Sequence, residues 1–96
     1  MNTTVEGVRF QLLRRLPGRL VFYTLAKGFH TFRIVGDGPT HWIFVPRELL
    51  RSADRSSLES LVTDPDLTVS LCAASDSKRI CVLQMGAREV GAGFPN

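Results

Sequence analysis

Two short runs of alternating polar and apolar residues, broken by a cluster of turn formers, constrain this chain more than anything else in it. Phe29-His30-Thr31-Phe32-Arg33-Ile34-Val35 and Thr40-His41-Trp42-Ile43-Phe44-Val45 flank Gly36-Asp37-Gly38-Pro39. Both runs are rich in aromatic and β-branched residues, and a two-residue period on either side of a Gly/Asp/Pro break reads as a β-hairpin. Pairing around the turn sets Arg33 against Trp42, Ile34 against His41, Phe32 against Ile43 and His30 against Val45. One side then carries Phe32, Ile34, Ile43 and Val45, a natural core face. The other carries Thr31, Arg33, Val35, Trp42 and Phe44.

The flanking segments extend the pattern. Pro17-Gly18 suits the two central positions of a type II turn, where the second needs a positive φ. After it, Arg19 to Ala26 reads as a strand. Before it, residues 8–16 support two readings. Val8, Phe10 and Leu12 alternate with Arg9 and Gln11, which favours a strand. Val8, Leu12 and Leu16 also have helical spacing, with Thr3 and Glu6 spaced as a capping box; the strand is preferred here. Pro46 ends the hairpin and opens a broken helix over about 46–63, whose second piece has Ser56 and Glu59 at capping-box spacing and Leu58, Leu61 and Val62 on its apolar side. Leu67 to Ala74 and Lys78 to Met85 read as a final pair of strands. The expected fold is therefore α+β, a mostly antiparallel sheet in the order ββββ-α-ββ with the broken helix packed on one face. Residues 1–90 form a single domain and residues 91–96 a flexible tail.

Candidate chemistry is sparse. The final two strands, turning at Asp76-Ser77, would place Cys72 opposite Cys81, an available redox pair; two buried thiols in a reducing compartment is the plainer reading. His30 and His41 are separated along the hairpin, each expected at a strand end and partly exposed, so no metal site is expected. No G-x-S-x-G elbow is present, and Gly36-Asp37-Gly38 lies between strands, with His41 where a dinucleotide loop needs glycine. Neither an enzyme nor a cofactor is expected. No apolar run approaches the ~18–20 residues of a membrane span, and the amino-terminal residues lack the pattern of a signal peptide, so a cytoplasmic protein is expected.

What remains is a surface. Nine of the twelve basic residues lie within 1–55, together with all aromatic residues except Phe94. Ten of the twelve are Arg, which matches carboxylate and phosphate bidentately and stacks on rings; a GC-rich bacterial or phage genome would give the same bias. Arg33, Trp42 and Phe44 share a strand face, and Arg14, Arg15 and Arg19 cluster near the first turn. These six residues are the candidate partner-binding site of a small non-catalytic module, an accessory, adaptor or inhibitor type, with a protein as the first expected partner. Nucleic acid bound by Arg and ring stacking is the alternative, and a thiol-based redox or enzymatic role the third. A homodimer is also compatible with the same face.

Overall fold

The computed structural model describes residues 3–36, 38–52, 71, 75–83, 86–91 and 94. Helix α1 (Thr3–Arg15) leads into three strands, β1 (Leu20–Ala26), β2 (Phe29–Val35) and β3 (His41–Pro46). A short helix α2 (Arg47–Ser52) follows, then β4 (Arg79–Leu83) and β5 (Gly86–Glu89). The strands form one sheet in the order β1-β2-β3-β4-β5. Every neighbouring pair is antiparallel except β3 and β4, which run parallel. The α+β architecture, the mostly antiparallel sheet and the helix after the β3 strand agree with the sequence. The second piece of the broken helix, residues 53–63, lies outside the described residues.

The central hairpin pairs as the alternation implied: Arg33 with Trp42, Ile34 with His41, Phe32 with Ile43 and His30 with Val45. Phe32, Ile34, Ile43 and Val45 are fully buried. They join Val21, Ile80 and Val82 from the other strands in one core, covered by Val5, Val8 and Leu12 of α1 and by Leu16 just after it.

Residues 8–16 correct the expected first strand. They belong to α1 and to the turn after it. Helical spacing prevails because it puts four aliphatic side chains on one stripe against the sheet, whereas the strand pattern needed Phe10 on the buried side. Phe10 is in fact exposed. Glu6 in the first turn and Arg14 and Arg15 in the last complement the helix dipole. The turn at Pro17-Gly18 forms as read, with Gly18 at φ +80° and Arg19 N–H donating to the Leu16 carbonyl at 3.2 Å, but it joins helix to strand. Gly36 lies close against this turn. A Cβ there would stand 2.9 Å from Arg19 Cδ and 3.1 Å from the Gly18 carbonyl oxygen.

The expected hairpin of residues 67–74 with 78–85 is also corrected. Both edges of β4 are taken, by β3 on one side and β5 on the other, and Leu71 is helical. The connection from β3 to β4 is thus a crossover, as parallel pairing demands. Cys81 has Phe44 and Arg88 as its cross-strand neighbours. Cys72 lies outside the described residues.

Candidate functional site

Cross-strand partners share a face, so the register assigns each strand side chain to one surface or the other. The face turned away from α1 carries a row that crosses four strands: Phe22 opposite Arg33, Arg33 opposite Trp42, and Trp42 opposite Arg79. Ring and guanidinium alternate along it. The Arg33 guanidinium carbon lies 5.2 Å from the Phe22 ring centre, and that of Arg79 lies 4.2 Å from the Trp42 ring and 5.9 Å from Phe44. Such contacts contribute ~0.5–1 kcal/mol each where exposed. Trp42 is half-buried, neither described helix lies on this side of the sheet, and Arg33 is exposed.

The row differs from the expected site in its members. The guanidinium over the indole belongs to Arg79; Arg33 leans the other way, onto Phe22. Phe44 lies on this face but is only 2% exposed. Phe94 packs against it edge-on at 5.1 Å and against Phe29 at 5.0 Å, while Arg79 donates from a guanidinium nitrogen to the Phe94 carbonyl at 3.0 Å. Within the segment expected as a loose tail, Phe94 is therefore a lid over Phe44. Arg14 and Arg15 are exposed on α1, on the far side of the sheet, with Arg14 5.9 Å from the ring of Phe10. Arg19 lies at the turn into β1 and shifts the titration of His41 in the core. These three do not extend the charge around Trp42.

Among the described strand residues the face is one-signed. Arg33, Arg79 and Arg88 point from it, since Arg88 stands opposite Cys81 in the register. None of the described strand residues on this side is acidic. Glu89 belongs to the opposite side, paired with Lys78 at 3.3 Å.

The histidines correct a second expectation, partial exposure. Both are buried, His41 completely. His41 stands opposite Ile34 and so faces the core. The Lys78 backbone N–H donates to its Nδ1 at 3.0 Å, which places the ring proton on Nε2, and among the described residues no partner completes a hydrogen bond to Nε2. Desolvation, then the positive charge of Arg19, lowers its pKa, and the Leu71 backbone opposes this. His30 Nδ1 and the Tyr23 hydroxyl are 2.6 Å apart, and burial followed by Arg47 lowers the His30 pKa as well. Burial pushes the Cys81 thiol up, which keeps it protonated and poorly nucleophilic. Among the described residues no three His, Cys, Asp or Glu side chains assemble as a metal-holding group, and no helix is long and apolar enough to cross a membrane.

No family model, curated protein or solved structure gives a significant match to this chain.

Proposed function

We propose that this chain is a non-catalytic binding module whose outer sheet face docks an acidic segment of a protein partner. The observation that carries the reading is the alternating row Phe22–Arg33–Trp42–Arg79. A guanidinium resting on a ring keeps its N–H edge free, and that edge matches a carboxylate bidentately. The Arg33 edge is exposed beside Phe22, Arg79 has donors left beyond the one it gives to the Phe94 carbonyl, Arg88 adds a third charge, and no carboxylate on the described strands of this face competes for them. Half-buried Trp and oriented Arg are the residue types that dominate binding energy at protein interfaces.

The same geometry ranks nucleic acid second. Base stacking needs an open ring face, and the indole face is taken by Arg79 at 4.2 Å. The thiol reading ranks third, because Cys81 is buried with a raised pKa.

Trp42 is the single tryptophan of the chain, so its fluorescence reports on this site alone. Titration with poly-glutamate is expected to shift the indole emission, and Arg33→Ala or Arg79→Ala to weaken binding by roughly 2 kcal/mol, about thirtyfold. A response to a single-stranded oligonucleotide with none to poly-glutamate overturns the assignment in favour of nucleic acid. Silence toward both removes the face as a site for acidic ligands.

A further inference from the structure

We infer that β1 is the contact between two copies of this chain, paired antiparallel across a two-fold axis at Tyr23. β1 is an edge strand, paired with β2 on one side; at its open edge the Val21 carbonyl already accepts one hydrogen bond, from Arg9 Nε, and has its second lone pair left for another strand. It is seven residues long, Leu-Val-Phe-Tyr-Thr-Leu-Ala, without a charge or a proline. Sheet edges left in water are ordinarily short, charged or kinked. The opposite edge obeys that rule: β5 has four residues and exposes Arg88 and Glu89. β1 breaks it. Among the described residues, the exposed large apolar side chains are Leu20, Phe22, Tyr23 and Leu25 of β1 and Phe10 of α1, the helix that Arg9 ties to the Val21 carbonyl at 2.8 Å.

The strand is complementary to itself. About a two-fold axis at Tyr23, Leu20 meets Ala26, Val21 meets Leu25 and Phe22 meets Thr24 of the other copy, and Tyr23 meets its own counterpart. Each pair shares a face, because such an axis is perpendicular to the sheet and leaves its two sides distinct. On the outer side every large residue meets a small one, and all seven residues of each strand find a partner. The area suffices. The four β1 side chains are 37% to 60% exposed and, with Phe10 of α1, offer on the order of 500 Å² per chain, so two copies have at most about 1,000 Å² of apolar side-chain area to bury, to which the paired backbone adds, against the roughly 1,000 Å² a specific interface needs. A two-fold contact also closes on itself, so the product is a dimer and not a fibre. The one unfavourable pairing is at the rim, where Arg19 approaches Lys27 of the other copy. Salt screens that repulsion, so association strengthens as ionic strength rises.

Sedimentation equilibrium of the full chain over about 1–200 µM tests this. The expected result is a monomer–dimer equilibrium. Thr24→Lys, at an exposed edge position, brings like charges to the seam and is expected to raise the dimer dissociation constant at least about tenfold with an unchanged circular dichroism spectrum. Tyr23→Cys is expected to form a disulfide-linked dimer under mild oxidant where the parent chain does not, since directly opposed Cα atoms lie within disulfide range. A parent chain that stays monomeric throughout overturns the inference, including the case where it binds an added β-strand peptide, which would assign the edge to a foreign strand. A folded Thr24→Lys variant that dimerises unchanged overturns it too, and failure of Tyr23→Cys to cross-link in a dimeric chain overturns the two-fold register. None of these readouts depends on what the tryptophan face binds.

Discussion

The two faces of the sheet bury aromatic rings by opposite means. On the inner face, Phe32 is sealed by aliphatic side chains from α1 and the strands, as part of a continuous core. On the outer face neither described helix lies over Phe44 or Trp42. Phe44 is closed off by Phe94 and Phe29 meeting it edge-on, and Trp42 is half-covered by the Arg79 guanidinium. One face is dry by layer packing. The other is shielded by an arginine and a ring near the end of the sequence. A surface covered in that second way can be uncovered without unfolding the molecule, which is what a docking face requires.

The two faces should differ most in what a lost ring costs. Phe32→Ala leaves a cavity that the surrounding layers cannot collapse into, and is expected to cost about 3–5 kcal/mol in urea unfolding. Phe44→Ala removes a ring of the same size, but Phe94 can follow inward, so its cost is expected to be clearly smaller. Equal losses would mean that the outer face is core as much as the inner one, and the distinction would fail.

The histidines sharpen the same contrast, because both face inward. Their folded pKa values are lowered, by desolvation first, so each stays neutral in the folded state while the unfolded chain takes up a proton near the ordinary imidazole value of about 6.5. The unfolded state then binds more protons below that pH. Stability is therefore fully present above about pH 6.5 and declines as pH falls toward the folded values, by at most ~1.4 kcal/mol per pH unit for each such group. His41→Phe removes one of the two contributions and is expected to flatten the slope between pH 7 and 5 in chemical denaturation; an unaltered slope would show that His41 charges inside the fold without penalty.

How much of this was legible depends on the range of the interaction. The β2–β3 register followed from local alternation, because a two-residue period with one face buried leaves no freedom to slip. That same register already set His41 opposite Ile34, on the core face, so its burial was readable. Residues 8–16 were ambiguous because Phe10 fits a strand pattern and contradicts a helical one, and only packing of the Val5-Val8-Leu12-Leu16 stripe against the sheet decides. β5, with the sequence Gly-Ala-Arg-Glu, has almost no strand propensity and exists because β4 offers it an edge. Arg79 was invisible as a site residue for a different reason. Its place beside Trp42 follows only from the parallel pairing of β3 with β4, which links positions 37 residues apart through a crossover and leaves no short-range signal.

Arg79 accordingly carries the smallest and most discriminating test. Its guanidinium touches Trp42 and holds the Phe94 carbonyl, so Arg79→Ala loses a hydrogen bond and a ring contact together. A double-mutant cycle with Trp42→Phe separates them, since only the ring contact depends on the indole. The expected coupling is ~0.5–1 kcal/mol, the range for a partly exposed cation over an aromatic face. Arg79→Lys is expected to keep part of the charge interaction while losing the planar stacking and the fixed fork of donors. A coupling of zero would mean that the guanidinium is held by Phe94 alone and that its position over the indole is incidental. The outer face would then be a cover for Phe44 with no oriented donors of its own, and the contrast between the two faces would reduce to one between a thick lid and a thin one.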